Sequence, residues 1–278
     1  MSLREGLEDK YVTVAGRNIR YIEKGTGHPI ICIHSTGISL SADQWLVSID
    51  ALSTVAHVYA LDMPGWGLSD YAEEYSFPVW TETIKGFCDA LGLEQVDVAG
   101  QALGAWFVSL FASKYPERVR RAILISLTGF GPPPSGVASG ARFELPTREQ
   151  LRDALWREWT DYLPITDEVL DIQENRMQRP GRLDEFMKVR AYINDLSVRE
   201  QFSPRHLLPN MPMPILLAWG DNSPVTRVEH SFEAFQLAPN PRLLVTLGGD
   251  HNPMGFSARE FEAAAITFLT ATETKPIK

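Results

Sequence analysis

Two cysteines in 278 residues, Cys32 and Cys88, are too few for a disulfide framework and match no metal-ligand spacing. Lysine and arginine total 26 against 35 aspartates and glutamates, a net charge of −9, and no basic run interrupts the acidic excess. Nucleic acid and anionic membranes are therefore not expected as partners. No apolar stretch reaches the ~18 residues that a spanning helix needs. The opening segment, MSLREGLEDKYVTV, is charged and has no apolar h-region, so no secretory leader is expected and a cytoplasmic location is. Internal repeats and low-complexity tracts are missing as well. What remains is ordinary for a globular chain, with 44% hydrophobic and 22% charged residues. The length is close to the size at which a single core stops growing, which suggests one large domain with an inserted subdomain.

Short β-branched runs alternate with helical patterns along the first half. Tyr11–Val14 and Ile19–Glu23 read as a hairpin. Pro29–Ile33, His57–Leu61, Val96–Ala99 and Ala122–Ile125 are continuous apolar runs of the kind buried in a parallel sheet. Helical spacing appears in Val79–Leu91 and again after Gly104, ending at Pro116. This is an α/β pattern, a mostly parallel sheet flanked by helices. It breaks at GFGPPPSGVASGARFELP, a Gly/Pro/Ser-rich linker. Three helical stretches follow, Thr147–Tyr162, Thr166–Met177 and Leu183–Leu196, before strand signals return in Ile215–Trp219 and Arg242–Leu247 and a last helix in Ser257–Leu269. The expected organisation is a core over 1–134, a helical lid over 135–205 and a second core segment over 206–278.

The segment Gly100-Gln101-Ala102-Leu103-Gly104 follows a strand and opens a helix. Its glycines have the spacing of the G-x-S-x-G nucleophile elbow, in which small residues permit a sharp turn that exposes the central side chain. The backbone N–H of the next residue, Leu103, then points toward a developing oxyanion. Position 102, where the nucleophilic serine belongs, is alanine. The same segment lacks the second glycine of a dinucleotide-binding turn, and no phosphate loop or metal constellation occurs, so no cofactor is expected.

Further motifs extend this likeness. His34-Ser35-Thr36-Gly37 resembles the oxyanion loop of the α/β-hydrolases, and Asp62-Met63-Pro64-Gly65-Trp66-Gly67-Leu68-Ser69 resembles their D-x-x-G-x-G-x-S signature. Lys114–Val119, Trp219-Gly220-Asp221 and Gly249-Asp250-His251 are similar to the family's helix end, acid loop and histidine loop. The resemblance implies an α/β-hydrolase fold with an inserted lid. It also implies a triad in the order nucleophile, acid, histidine. His251 is then the general base, and Thr36 and Leu103 supply the oxyanion N–H groups. The family's Trp-Gly-x-x-Asp places the acid at Ser223; the carboxylate available in that loop is Asp221, the expected acid, with Asp250 a further candidate.

The insertion resembles the lid of the meta-cleavage product hydrolases, which cleave a carbon–carbon bond in vinylogous diketo acids. Gly129–Pro132, Pro146–Leu151, Ile165–Glu168 and Arg176–Pro180 carry that likeness. It implies that Arg179 holds a substrate carboxylate, a task suited to a planar bidentate guanidinium. Ser35, Gln101, Trp106, Trp156 and Asn252 complete the expected substrate-binding set, with Trp159 a further aromatic candidate. Gln101 and Asn252 stand where subfamily members often have Asn and Trp.

The function implied is hydrolysis of a small organic acid or ketone, in a chain with its nucleophile replaced. Ala102 reads either as a substituted serine or as the natural residue of a non-hydrolytic, ligand-binding relative or of an enzyme working through His251 alone. An ester or lactone hydrolase is the other enzymatic reading. A small, anionic molecule is the expected partner, and a homodimer is compatible with the sequence.

Overall fold

The computed structural model of the chain describes residues 4–131, 143–158 and 165–272. Eight strands form one sheet: β1 (Lys10–Val14), β2 (Arg17–Lys24), β3 (Pro29–Ile33), β4 (His57–Leu61), β5 (Val96–Gln101), β6 (Val119–Ile125), β7 (Ile215–Gly220) and β8 (Pro241–Thr246). Their order is β1-β2-β4-β3-β5-β6-β7-β8. The hairpin β1–β2 pairs antiparallel with itself and with β4, and every later pairing is parallel. The apolar runs of β3 and β5 are buried along almost their whole length, as strands covered on both faces must be.

Helices α1 (Ile49–Leu52), α2 (Phe77–Ala90), α3 (Leu103–Lys114), α9 (Glu229–Leu237), α10 (Pro253–Phe256) and α11 (Ala258–Thr270) belong to the core. One apolar cluster lies under α2, α3 and α9, the other under α1 and α11, so the sheet is covered on both faces. Helix α2 starts two residues before the expected Val79 because Ser76 accepts the Val79 N–H as an N-cap and Pro78 fits the first turn. Phe77, Trp80, Ile84, Phe87 and Cys88 form its buried stripe.

Between β6 and β7 the described residues contain no strand. They form α4 (Arg148–Glu158), α5 (Asp167–Met177), α6 (Arg182–Asn194), α7 (Leu196–Gln201) and α8 (Pro204–Leu207). The stretch expected to run to Leu196 ends at Asn194, since Asp195 caps a new helix by accepting the N–H groups of Ser197 and Val198. The linker residues 132–142 and the end of the expected first lid helix, with Trp159 and Tyr162, lie outside the described residues.

Three arginines of this helical layer, spaced three apart in the chain, tie it to the loops at the sheet's edge. Arg176 pairs with buried Asp43 at 3.2 Å. Arg179 donates to the carbonyls of Gly67 and Ser69 at 2.5 and 2.9 Å. Arg182 donates to the carbonyls of Ile38, Gly37 and Gly65. Asp43 in turn meets Arg20 at 3.0 Å, and Arg20 meets Asp62 at 3.1 Å. A buried carboxylate so surrounded is held well below its usual range: burial opposes its charge, but Arg20 and Arg176 outweigh that cost.

Candidate active site

The elbow follows from two close approaches. A side chain on Gly100 would run into the backbone of Gly104, and one on Gly104 into the carbonyls of Ile33 and His34. Both glycines are therefore demanded by contact, and α3 can start against the end of β3. Ala102 sits between them at φ 51° and ψ −107°, outside the regions that L-residues ordinarily occupy. Its N–H donates to the Ile125 carbonyl at 2.8 Å, which pins the turn to the neighbouring strand. Such a conformation costs on the order of 1–3 kcal/mol and persists only where the surroundings enforce it.

Beside the elbow lies a cavity of about 130 Å³ bordered by Ser35, Thr36, Ala102, Leu103, Trp106 and His251. Thr128, Arg199, Thr226 and His230 line it as well. Leu103 heads α3, where helical N–H groups have no intrahelical partner. The loop carrying Ser35 and Thr36 is shaped by His34, whose Nδ1–H donates to the Ser35 carbonyl at 2.7 Å while Nε2 accepts the Met63 N–H at 3.1 Å. Burial pushes the His34 pKa down to about 4, so this ring is a neutral strut. Asp62 is a strut too: it accepts N–H groups from Ala42 and Leu68 and pairs with Arg20.

His251 borders the cavity as expected, but its partners differ from those expected. Nδ1 lies 3.2 Å from Ser223 Oγ and 3.4 Å from Thr226 Oγ1. Asp221 is exposed, its N–H donating to the Thr246 carbonyl at the end of β8, and it is not brought to the His251 ring. Asp250 accepts the backbone N–H of His251 at 2.6 Å, because adjacent side chains leave the chain in different directions. Burial lowers the His251 pKa to about 4, with Asp250 opposing only in part. The turn between the two glycines thus carries alanine, and the side chains beside the His251 ring are the hydroxyls of Ser223 and Thr226.

The expected binding residues divide as well. Ser35 and Trp106 border the cavity; Trp106 also donates to the Phe202 carbonyl at 2.7 Å. Gln101 is buried and donates to the His251 carbonyl at 3.2 Å, so it supports the histidine loop. Asn252 is buried at the start of α10, its carbonyl accepting from Gly255 and Phe256. Trp156 is 69% exposed on α4 and does not border the cavity. Arg179 does not border it either: its guanidinium stacks over Tyr71, 4.8 Å from the ring centre, and is committed to core carbonyls. The cation that does border it is Arg199, over the Trp106 ring at 5.2 Å. Arg199 donates to the carbonyls of Gly131 and Ile193, and no carboxylate pairs with it among the described residues. Burial lowers its pKa with no acidic neighbour to offset the cost. Its sequence context, a mid-helix arginine four residues after the N-cap Asp195, gave no sign of this position.

No group of residues that could hold a metal ion, and no helix long and apolar enough to cross a membrane, occurs among the described residues. The α/β hydrolase fold family model matches residues 28–258. A 2-hydroxymuconate semialdehyde hydrolase from Pseudomonas putida is 26% identical over 84% of this chain and 84% of its own length. A 2-hydroxy-6-oxo-6-phenylhexa-2,4-dienoate hydrolase from Comamonas testosteroni is 28% identical over 96% of this chain and 98% of its own. Among solved structures, a serine-to-alanine mutant of the meta-cleavage product hydrolase from Pseudomonas fluorescens IP01, complexed with acetates, superposes with a TM-score of 0.79 at 26% identity, covering 93% of this chain and 96% of that one. The chain belongs to the α/β hydrolase fold family, and its relatives there include meta-cleavage product hydrolases.

Proposed function

We propose that the cavity is the substrate site of a serine-type hydrolase of small organic acids or ketones, of the carbon–carbon bond-cleaving kind, held in a non-hydrolysing form by Ala102 and Ser223. The observation that carries this reading is the elbow itself. Ala102 keeps the strained backbone of a nucleophile although its methyl group can attack nothing. Around it the cavity keeps a histidine, the oxyanion positions Thr36 and Leu103, and an arginine with no carboxylate partner among the described residues. A dienoate fits this set: its carboxylate faces Arg199 and its 6-oxo group lies toward the N–H groups of Thr36 and Leu103. Two of the five guanidinium N–H donors of Arg199 are left over from its three bonds to carbonyls.

In the complete reaction serine attacks the carbonyl, histidine takes the serine proton and returns it to the leaving carbon, and water then releases the acyl group. Only water is consumed. Loss of such a nucleophile costs on the order of a million-fold in kcat in a serine protease, so the chain as written binds its substrate without appreciable turnover. A ligand-binding role is the second reading, favoured by the loss of the acid as well as the nucleophile.

The test is the variant Ala102→Ser/Ser223→Asp, assayed against a 2-hydroxy-6-oxo-dienoate and an activated ester. Hydrolysis of the dienoate is expected. Hydrolysis of the ester alone moves the assignment to the ester and lactone hydrolases. A well-folded double variant that hydrolyses neither removes the hydrolase reading.

A further inference from the structure

The polarity of His251 can be counted from its neighbours. Ser223 Oγ, 3.2 Å from Nδ1, also accepts the backbone N–H groups of Thr226 at 3.1 Å and Val225 at 3.4 Å. A hydroxyl oxygen has two lone pairs and one hydrogen. Both lone pairs face amides that can only donate, so what Ser223 offers to Nδ1 is its hydrogen. Nδ1 is then an acceptor. Thr226 Oγ1 lies 3.3 Å from Ser223 Oγ and 3.4 Å from Nδ1. The reverse arrangement, with Ser223 O–H and Nδ1–H both donating to Thr226, would use the longer of the two contacts to the ring and leave the shorter one, to Ser223, without a hydrogen between its atoms. No carboxylate among the described residues pairs with the ring, and Asp250 is occupied by the His251 backbone N–H. A neutral imidazole that accepts at Nδ1 carries its proton on Nε2.

A triad has the opposite polarity. There a carboxylate accepts from Nδ1–H, and the lone pair of Nε2 faces the nucleophile as a base. We infer that His251 in this chain is a donor, and that its Nε2–H joins the backbone N–H groups of Thr36 and Leu103 in a cradle for a ligand carboxylate seated beside the Ala102 methyl. All four residues border the same cavity, and the missing serine hydroxyl leaves room where an oxygen can sit. Ser223 is the positioning residue of this arrangement. The inference rests on the cavity being the ligand site described above, but not on any hydrolysis there; it gives the Thr36 and Leu103 N–H groups to a carboxylate in the unsubstituted chain, and to the 6-oxo group only where a serine and a basic histidine are restored. Ala102 and Ser223 then form one device: the first vacates the oxygen's place, and the second turns the histidine from base to donor.

Long-range 1H–15N correlations of the histidine rings in the 15N-labelled chain at pH 7 read the tautomer directly, with His251→Gln to assign the signal. The expected spectrum has a protonated Nε2 and an unprotonated Nδ1. Sodium acetate, the probe carboxylate, should shift the Nε2–H signal saturably. Ser223→Asp should move the proton to Nδ1 and weaken acetate binding at least tenfold, whereas Ser223→Thr should keep the Nε2–H form. A proton on Nδ1 in the unsubstituted chain overturns the inference without recourse to any variant. An Nε2–H form that acetate does not shift, or an acetate affinity unchanged after the proton has moved, overturns the cradle. A hydrolytically inert Ala102→Ser/Ser223→Asp variant would remove the proposed reaction and leave this spectrum as it is.

Discussion

Replacing Ala102 by serine alone should restore almost nothing, and the reason lies 3.2 Å behind the histidine. A serine at position 102 meets an Nε2–H that donates to it, when attack requires a lone pair that takes its proton. In a serine protease, exchange of the triad aspartate for asparagine leaves the geometry intact, imposes the wrong tautomer and lowers kcat about 10⁴-fold. At 1.36 kcal/mol per decade that is about 5.4 kcal/mol of transition-state stabilisation. Restoring the nucleophile is worth on the order of 10⁶, but only on a histidine of the right polarity.

A four-member cycle separates these effects: the chain as it stands, Ala102→Ser, Ser223→Asp and the double variant. Ser223→Asp alone should stay at background because it has no nucleophile. Ala102→Ser should show a trace, and the double variant should exceed it by about 10⁴. Steady-state kcat/KM for an activated ester and for a dienoate provides the readout, with circular dichroism to confirm folding. The aspartate should also raise the His251 pKa from about 4, so the double variant should show an acid limb in its rate profile nearer neutrality. Equal activity of Ala102→Ser and the double variant, within about tenfold, refutes the argument from tautomer.

Other consequences are separable from catalysis. In the double variant, Arg199→Gln should raise KM for an anionic dienoate about tenfold or more, while Arg179→Ala, whose guanidinium holds core carbonyls, should leave KM unchanged and lower the urea midpoint. Ala102→Gly should raise stability by about 1 kcal/mol in urea unfolding, because glycine accepts the positive φ that alanine bears under strain. Stability should also fall on acidification from about pH 6.5 to 4. His34 and His251 are both depressed to about 4 in the folded state, so the unfolded chain takes up their protons first; stability is present above the unfolded pKa and lost as pH falls toward the folded one, by roughly 3 kcal/mol for each. His34→Gln should remove about half of that limb in urea midpoints measured across the range.

The fold was legible because its signals are local. Buried parallel strands read as apolar runs, and the elbow glycines are required by contacts within a few residues and with the neighbouring strand. The site was most legible where a motif fixes backbone: Ser35, Thr36, Ala102, Leu103 and His251 all border one cavity, as does Trp106 one turn into α3. The long lid-segment side chains, whose role depends on reach, were not. Arg179, in the turn between α5 and α6, lies over Tyr71, and Arg199, inside α7, lies over Trp106. Composition does not encode that direction; the packing of separate helices does. Asp221 stands out in the sequence because it is a carboxylate, yet the loop brings Ser223, two residues later, to the His251 ring.

The net charge bears on binding in a way that can be measured. With −9 overall, an approaching carboxylate is repelled at long range, so whatever holds it must act at contact. The contact groups are the guanidinium of Arg199 and the N–H donors around Ala102, none of which needs the field of the whole molecule. Screening should therefore act on the two rates differently. Raising ionic strength from about 10 to 150 mM shortens the Debye length from about 30 to 8 Å, which weakens the distant repulsion far more than a hydrogen-bonded contact. The association rate of benzoate with the chain, followed by stopped-flow tryptophan fluorescence, should rise over that range while its dissociation rate changes little. An association rate that falls with salt would mean that a positive field guides the ligand, and that the cavity's entrance is more basic than the arrangement of Arg199 alone provides.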